Sequence, residues 1–151
     1  MTRLVIRGGR IVDPASGRDG IADLLVEDGR IGRAAAGRES RDEEIFDASG
    51  LLVFPGFIDL HVHLREPGFE YKESIRTGAE AAAAGGFAAV CAMANTDPVN
   101  DHRAVTAWIA DRAREVGFAR VYPIGAITKG MRGEELSEFG EMKEAGAVAV
   151  S

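Results

Sequence analysis

Phe57 to Gly68 reads FIDLHVHLREPG, and the architecture of the whole chain depends on how this stretch is read. The segment after Pro55-Gly56 has the composition of a β-strand, and in a strand alternate side chains share a face. Asp59, His61 and His63 are therefore expected on one face, and Leu60, Val62 and Leu64 on the other. Two imidazoles on one face of a rigid strand can reach a single ion. Neutral histidine nitrogens bind Zn2+ at about 2.0 to 2.1 Å, and a strand holds them without the ordering entropy that a loop would lose. An isolated His-x-His is more often two partly buried residues spaced by chance, so its context has to decide. Here the pair closes the first strand of a βα series, the end at which βα barrels build their sites, and a charged LREPG loop follows at once. Asp59 either orients a ligating histidine from behind or is a solvated carboxylate at the strand start.

Beyond this strand the pattern alternates. Lys72 to Ala84 reads as a helix stopped by Gly85-Gly86, and Phe87 to Met93 as a second strand. His102 to Val116 reads as a helix with Asp101 as N-cap and Gly117 as its stop. Phe118 to Ile124 is a third strand, Glu134 to Ala145 a third helix ended by Gly146, and Ala147 to Ser151 a fourth strand. Such alternation predicts a parallel sheet. A closed barrel needs eight units and typically about 250 residues. The 151 residues are thus either a small open α/β domain or the first half of a barrel.

On the other side of Pro55 the character changes. Leu4 to Ile6, Ile11 to Val12, Asp23 to Val26 and Arg30 to Ile31 are short apolar runs separated by Gly8-Gly9, Pro14, Gly17, Gly20 and Asp28-Gly29. They read as short strands with turns between them, and Asp28-Gly29 as a two-residue hairpin turn with both φ positive. Phe46 to Phe54 adds a further turn and strand. Residues 1–54 are expected to form a small β region and residues 55–151 the βα region.

Composition narrows the function classes. Acidic residues outnumber basic ones by 24 to 18, a net charge of −6 that disfavours a nucleic-acid surface. No apolar run approaches the ~20 residues that span a bilayer, and the N-terminus MTRLVIRGGR lacks a signal peptide's apolar stretch, so the expected address is cytoplasmic. Cys91 is the single cysteine, which excludes disulfide scaffolds and cysteine zinc ribbons. It reads as a small buried hydrophobe. Any metal must be held by histidines and carboxylates. The absence of Gln and the excess of Arg over Lys fit either heat adaptation or genomic base composition.

The run DLHVHLREPGFEYKESIRTGAEAAAAGGFAAVCAMANTDPVND resembles the N-terminal half of the long-chain bacterial dihydroorotases, within the amidohydrolase superfamily. GLLVFPGFID before it, and AITKG and ELSEFGEMKEAGAVAVS after it, extend the resemblance over nearly the whole chain. The fold this implies is a small β-sandwich region over residues 1–54, followed by the first half of a (β/α)8 barrel over residues 55–151. The implied activity of the full-length enzyme is reversible hydrolysis of the cyclic amide of dihydroorotate to N-carbamoyl-aspartate in pyrimidine biosynthesis. It would depend on one or two Zn2+ ions. His61 and His63 match the metal ligands, and His63, Arg65 and Asn95 match the substrate-binding residues. An arginine gives a carboxylate a bidentate fork. Apart from the resemblance, Arg65 reads as a loop partner of Glu66, and Asn95 as a turn residue in Asn-Thr-Asp-Pro.

The same resemblance implies a metal-ligating Asp directly after Ser151, then two more His ligands and a catalytic Asp, so the general base is expected beyond Ser151. Residues 1–151 alone are expected to turn over nothing. Ala94 stands where the family commonly has Pro, a change expected to loosen the loop that carries Asn95. His102 reads as a surface residue, Lys129 as an exposed loop lysine rather than a carbamylated ligand, and Glu134, Glu135, Glu138, Glu141 and Glu144 as a solvated helix face. Implied partners are the small-molecule substrate and further copies of the chain in a homo-oligomer, with aspartate transcarbamoylase as a further candidate. Neither nucleic acid nor membrane is expected. Rival readings are another cyclic amidohydrolase, a hydantoinase or allantoinase, and a catalytically inactive scaffold subunit of aspartate transcarbamoylase.

Overall fold

The computed structural model describes residues 3–32 and 43–151, and the chain divides into two units, Met1–Pro55 and Gly56–Ser151. In the first unit, β1 (Arg3–Asp13) runs straight through Gly8-Gly9, where two separate strands are expected from the sequence. The glycines make a bulge, because glycine accepts positive φ and close backbone approach without ending a strand. Pairing with β2 (Arg18–Glu27) shifts register between Ile6 and Gly9. Gly8 takes a φ of 70° and donates its N–H to Asp23 Oδ1 at 2.9 Å. A Cβ on Gly9 would lie 2.7 Å from Val53 Cγ2. The Asp28-Gly29 turn forms as expected, with φ of 47° and 74°, and leads into β3 (Arg30–Gly32). β4 (Glu43–Asp47) and β5 (Leu52–Val53) both pair with β1 in parallel, giving a sheet of order β3-β2-β1-β4 with β5 also on β1. Arg3 ties three of its strands together, at 2.9 Å from Glu27 on β2 and 2.8 Å from Glu43 on β4.

The second unit is built of βα repeats. β6 (Phe57–Val62), β7 (Phe87–Ala92), β8 (Arg120–Gly125) and β9 (Ala149–Val150) form a four-stranded parallel sheet in that order. α1 (Ile75–Ala84), α2 (Arg103–Val116) and α3 (Phe139–Ala145) connect them. Val90, Ala92 and Val121 of the sheet meet Ile75, Ala79, Val105 and Ile109 of the helices in one buried cluster. Among the described residues, no helix is long and apolar enough to cross a membrane.

All three helices begin later than the periodicity predicts, for local reasons. α1 starts at Ile75 rather than Lys72, because Ser74 and Thr77 cap it reciprocally. Ser74 Oγ accepts the Thr77 N–H and Thr77 Oγ1 accepts the Ser74 N–H, each at 3.1 Å. The N-cap of α2 is His102 rather than Asp101, whose carboxylate is engaged elsewhere. α3 is only seven residues long. The stretch before it holds a 3-10 turn, Lys129–Met131, and a bridge between Thr128 and Leu136. Glu134, Glu135 and Glu138 therefore lie off the helix on which the sequence places them, and only Glu141 and Glu144 belong to it.

Parallel strands bring their C-terminal ends to one edge, so the loops that follow them are neighbours. The Met93 N–H donates to Val62 O at 2.9 Å, the Ala126 N–H to Asn100 O at 2.7 Å and the Ile127 N–H to Ser151 O at 3.0 Å. Asn100 is fully buried. Its Nδ2 donates to Ile124 O at 2.9 Å and its Oδ1 accepts from Thr106 Oγ1 at 2.6 Å. The side chain thereby locks the loop after β7 to β8 and to α2. Asn100→Ala would strand the buried Ile124 carbonyl and leave the buried Thr106 hydroxyl only its longer 3.3 Å contact with His102 O. The expected loss is about 2 to 4 kcal/mol, read as a lower midpoint of urea unfolding. A loss below about 1 kcal/mol would show that water replaces the missing amide.

Candidate active site

His61 lies in β6 and His63 directly after its last residue, Val62. Val62 packs against the core cluster and Leu64 is part of it, so the imidazoles of His61 and His63 project elsewhere, and both residues are exposed. Their ring centroids are 5.1 Å apart and their planes inclined by 70°. Asp59 does not join them. The register of β6 against β7 shifts between Asp59, which pairs with Val90, and Val62, which pairs with Ala92. Parallel partners point the same way, and Val90 and Ala92 both face the helices. The extra residue in β6 therefore turns Asp59 to the helix side, which corrects the shared face expected from simple alternation. Its Oδ1 accepts the backbone N–H of His61 at 3.0 Å, so it steadies the strand, and among the described residues it hydrogen-bonds to neither imidazole.

His63 finds its partner on the next loop. His63 Nδ1 lies 2.9 Å from Asn95 Oδ1. Asn95 is presented firmly, because Ala94 is buried and the Ala94 carbonyl accepts the N–H groups of Thr96 at 2.9 Å and Asn100 at 3.0 Å. Backbone hydrogen bonds hold the turn around Ala94, accepted by a carbonyl that a proline at this position would also carry.

Arg65 has left-handed backbone, φ 65°, and is half-buried. It forms no ion pair among the described residues, and the sequence reading that pairs it with Glu66 is not realised. Glu66 turns inward and is 8% exposed. Its Oε2 accepts the N–H of Ile75, the first residue of α1, at 2.6 Å, where the helix dipole favours negative charge. Its Oε1 lies 3.4 Å from Arg112 Nε on α2. Glu115, at 3.2 Å, and then the Glu66 charge raise the pKa of Arg112. Sequence reasoning missed this use of Glu66. The available signal was an acidic residue between a strand end and a helix whose first turn has no acidic residue of its own.

The third loop is fastened by Asp101. Its Oδ2 accepts the Gly130 N–H at 2.6 Å, and its Oδ1 lies 2.6 Å from His102 Nδ1. Burial pushes this carboxyl up, but the hydrogen bonds from His102 and Gly130 outweigh burial and hold it below the ordinary aspartate range. Lys129 is half-exposed, with Nζ 2.5 Å from Glu135 Oε1. That hydrogen bond, with the charge behind it, raises its pKa and keeps it an ammonium ion, in line with the loop-lysine reading. Cys91 is buried as expected, and burial, with the Asp59 charge, pushes its thiol up.

Among the described residues, no three His, Cys, Asp or Glu side chains converge as a metal shell. The histidine pair fits two positions of one, since it offers two neighbouring imidazoles with the ring of His63 braced by Asn95. The loop that carries Arg65 is pressed against the one that carries Asn95. The Asp97 N–H donates to Pro67 O at 3.0 Å. Gly68 has a φ of 95°, and a Cβ there would lie 2.2 Å from Asp97 O. Gly68→Ala should push the two loops apart and destabilise the protein by about 1 to 3 kcal/mol, measurable as a lower thermal midpoint. An unchanged midpoint would show that the loops part without cost.

Residues 50–151 match the family described as dihydro-orotase-like. The chain is 57% identical to the dihydroorotase of Solibacter usitatus over 148 residues, 98% of this chain and 34% of that protein. It is 55% identical to the dihydroorotase of Syntrophotalea carbinolica over 149 residues, 99% of this chain and 35% of that one. It therefore spans about a third of the length of the curated relatives it matches. The L-hydantoinase (dihydropyrimidinase) from Arthrobacter aurescens superposes with a TM-score of 0.79 at 24% identity, covering 99% of this chain and 32% of that one. At that identity the likeness is one of fold, a sandwich-like sheet followed by a parallel half-barrel. With the family match over its βα unit and relatives above 50% identity along nearly its whole length, the chain belongs to the dihydro-orotase-like family.

Proposed function

We propose that the full protein is a zinc-dependent dihydroorotase, opening the cyclic amide of dihydroorotate to N-carbamoyl-aspartate and closing it again, and that this chain supplies two metal ligands and the carboxylate subsite. The observation that carries the reading is the convergence, at one edge of a parallel sheet, of His61 and His63 with Asn95, beside an arginine with no carboxylate partner among the described residues. His61 and His63 would hold the ion. Zinc, when bound, supplies an acidified water and a polarised amide carbonyl.

Every other task falls to side chains. The Arg65 guanidinium is a planar fork that matches a carboxylate. Because Glu66 is drawn inward to Ile75 and Arg112, it does not neutralise Arg65, so the fork remains for the substrate. Asn95 adds a neutral donor at the same edge. In the forward direction water adds to the amide carbon, the ring C–N bond breaks and the departing nitrogen takes a proton. A general base is needed for that transfer, and the family resemblance puts it on a later strand.

An acidic substrate separates this reading from a hydantoinase or allantoinase, whose substrates need no arginine fork. In a panel of dihydroorotate, hydantoin and allantoin, only dihydroorotate should turn over. Arg65→Ala should raise the KM for dihydroorotate by roughly 10- to 150-fold, as expected for a lost hydrogen bond to a charged group. An unchanged KM would remove Arg65 from the subsite. Chelation should abolish turnover and zinc restore it. Turnover that survives complete metal removal would overturn the mechanism, and a zinc-loaded protein inert to the whole panel would favour the scaffold reading.

A further inference from the structure

Asn95 serves the proposed substrate site as a donor to the carboxylate, and it also faces a histidine. The structure places its amide oxygen 2.9 Å from His63 Nδ1. An amide oxygen only accepts, so the imidazole proton in this contact sits on Nδ1, and the ring's lone pair is left on Nε2. A carboxylate likewise only accepts, so an Asn that serves the substrate must turn its NH2 toward it. The two demands select the same orientation of the amide.

We infer that Asn95 is a positioning residue for the metal site: it locks His63 in the Nδ1–H tautomer, offers Nε2 alone to the zinc, and with its remaining NH2 reaches the substrate carboxylate. This deepens the dihydroorotase reading and rests on it for the substrate half only. The metal half stands on geometry. Asn95 is the only hydrogen-bond partner of the His63 ring among the described residues. The carboxylate one might expect behind a ligating histidine, Asp59, is turned to the helix side and accepts a backbone N–H instead. The loop that carries Asn95 is pinned at both ends, by the Met93 N–H on Val62 O and the Asn100 N–H on Ala94 O, so the amide meets the ring without a search. One side chain thus couples the two halves of the site, and its loss costs both zinc and substrate, whereas the loss of Arg65 costs substrate alone.

The test uses the full-length protein and measures zinc affinity by chelator competition in the absence of substrate, alongside KM and kcat. Asn95→Ala should weaken zinc binding by roughly 10- to 100-fold, the range for a lost partner of a ligating histidine, and raise KM as well. Asn95→Asp keeps an acceptor for the Nδ1 proton and should retain the parental zinc affinity, while KM rises because its charge repels the substrate carboxylate. Arg65→Ala should raise KM and leave zinc affinity alone. In the zinc-free protein, the 15N spectrum of histidine should show His63 protonated on Nδ1, and that preference should be lost in Asn95→Ala. Parental zinc affinity in Asn95→Ala, or a loss in Asn95→Asp as large as in Asn95→Ala, would overturn the inference. Should Arg65→Ala leave KM unmoved, the substrate reading falls, and the substrate-free zinc measurements still decide what Asn95 does.

Discussion

Leu64 packs in the core beside α1, and what lies at the sheet edge follows from that packing. The helix comes so close that a Cβ on Gly78 would fall 2.3 Å from Leu64 Cδ2, so the contact exists only because position 78 has no side chain. Glycine within a helix costs about 1 kcal/mol against alanine, and here the cost is offset by burial of a leucine. With Val62 and Leu64 both committed to the helix side, His61 and His63 are left to the other. The apolar core thus aims the polar site.

The same economy of position governs the loops. Each loop that follows a strand carries backbone groups that would be costly to leave unpaired, and some of them are satisfied by the neighbouring loop. Asp97 bonds to Pro67, Ala126 to Asn100 and Ile127 to Ser151. Two buried side chains reinforce this lacing, Glu66 from β6 to the start of α1 and Asn100 from β7 to β8. Arg65 therefore sits on a loop whose direction is set by the residue after it, and Asn95 on one whose direction is set by the backbone around Ala94.

The sequence carried the order of elements, the parallel sheet and the identity of the strand that bears the histidines, because these depend on periodicity and on glycine stops. It did not carry the features that depend on a partner distant in the chain. Gly8-Gly9 looks like a break, and only pairing with Asp23 makes it a bulge. Alternation put Asp59 beside the histidines, but the register shift against β7 sends it to the other side. Glu66 looked like a partner for its neighbour Arg65, until a helix N-terminus nine residues on claimed it. The start of α2 failed in the same way, as Asp101 forsakes it for the amide of Gly130, whereas the late start of α1 has a local cause, the reciprocal cap of Ser74 and Thr77.

On the proposed reading, the two imidazoles at the end of β6 would supply half of a tetrahedral shell, too few to fix a zinc ion and enough to fix its address. What the rest of a shell cannot supply is the tautomer of these two rings, since that is set by whatever bonds the nitrogen facing away from the ion. For His63 that group is Asn95, on the loop of the adjacent strand. On the proposed reading the chemistry of the first strand is completed by the second, since the β6-β7 pair, with its two loops laced together, carries the candidate ligand His63, its partner Asn95 and the candidate substrate arginine Arg65.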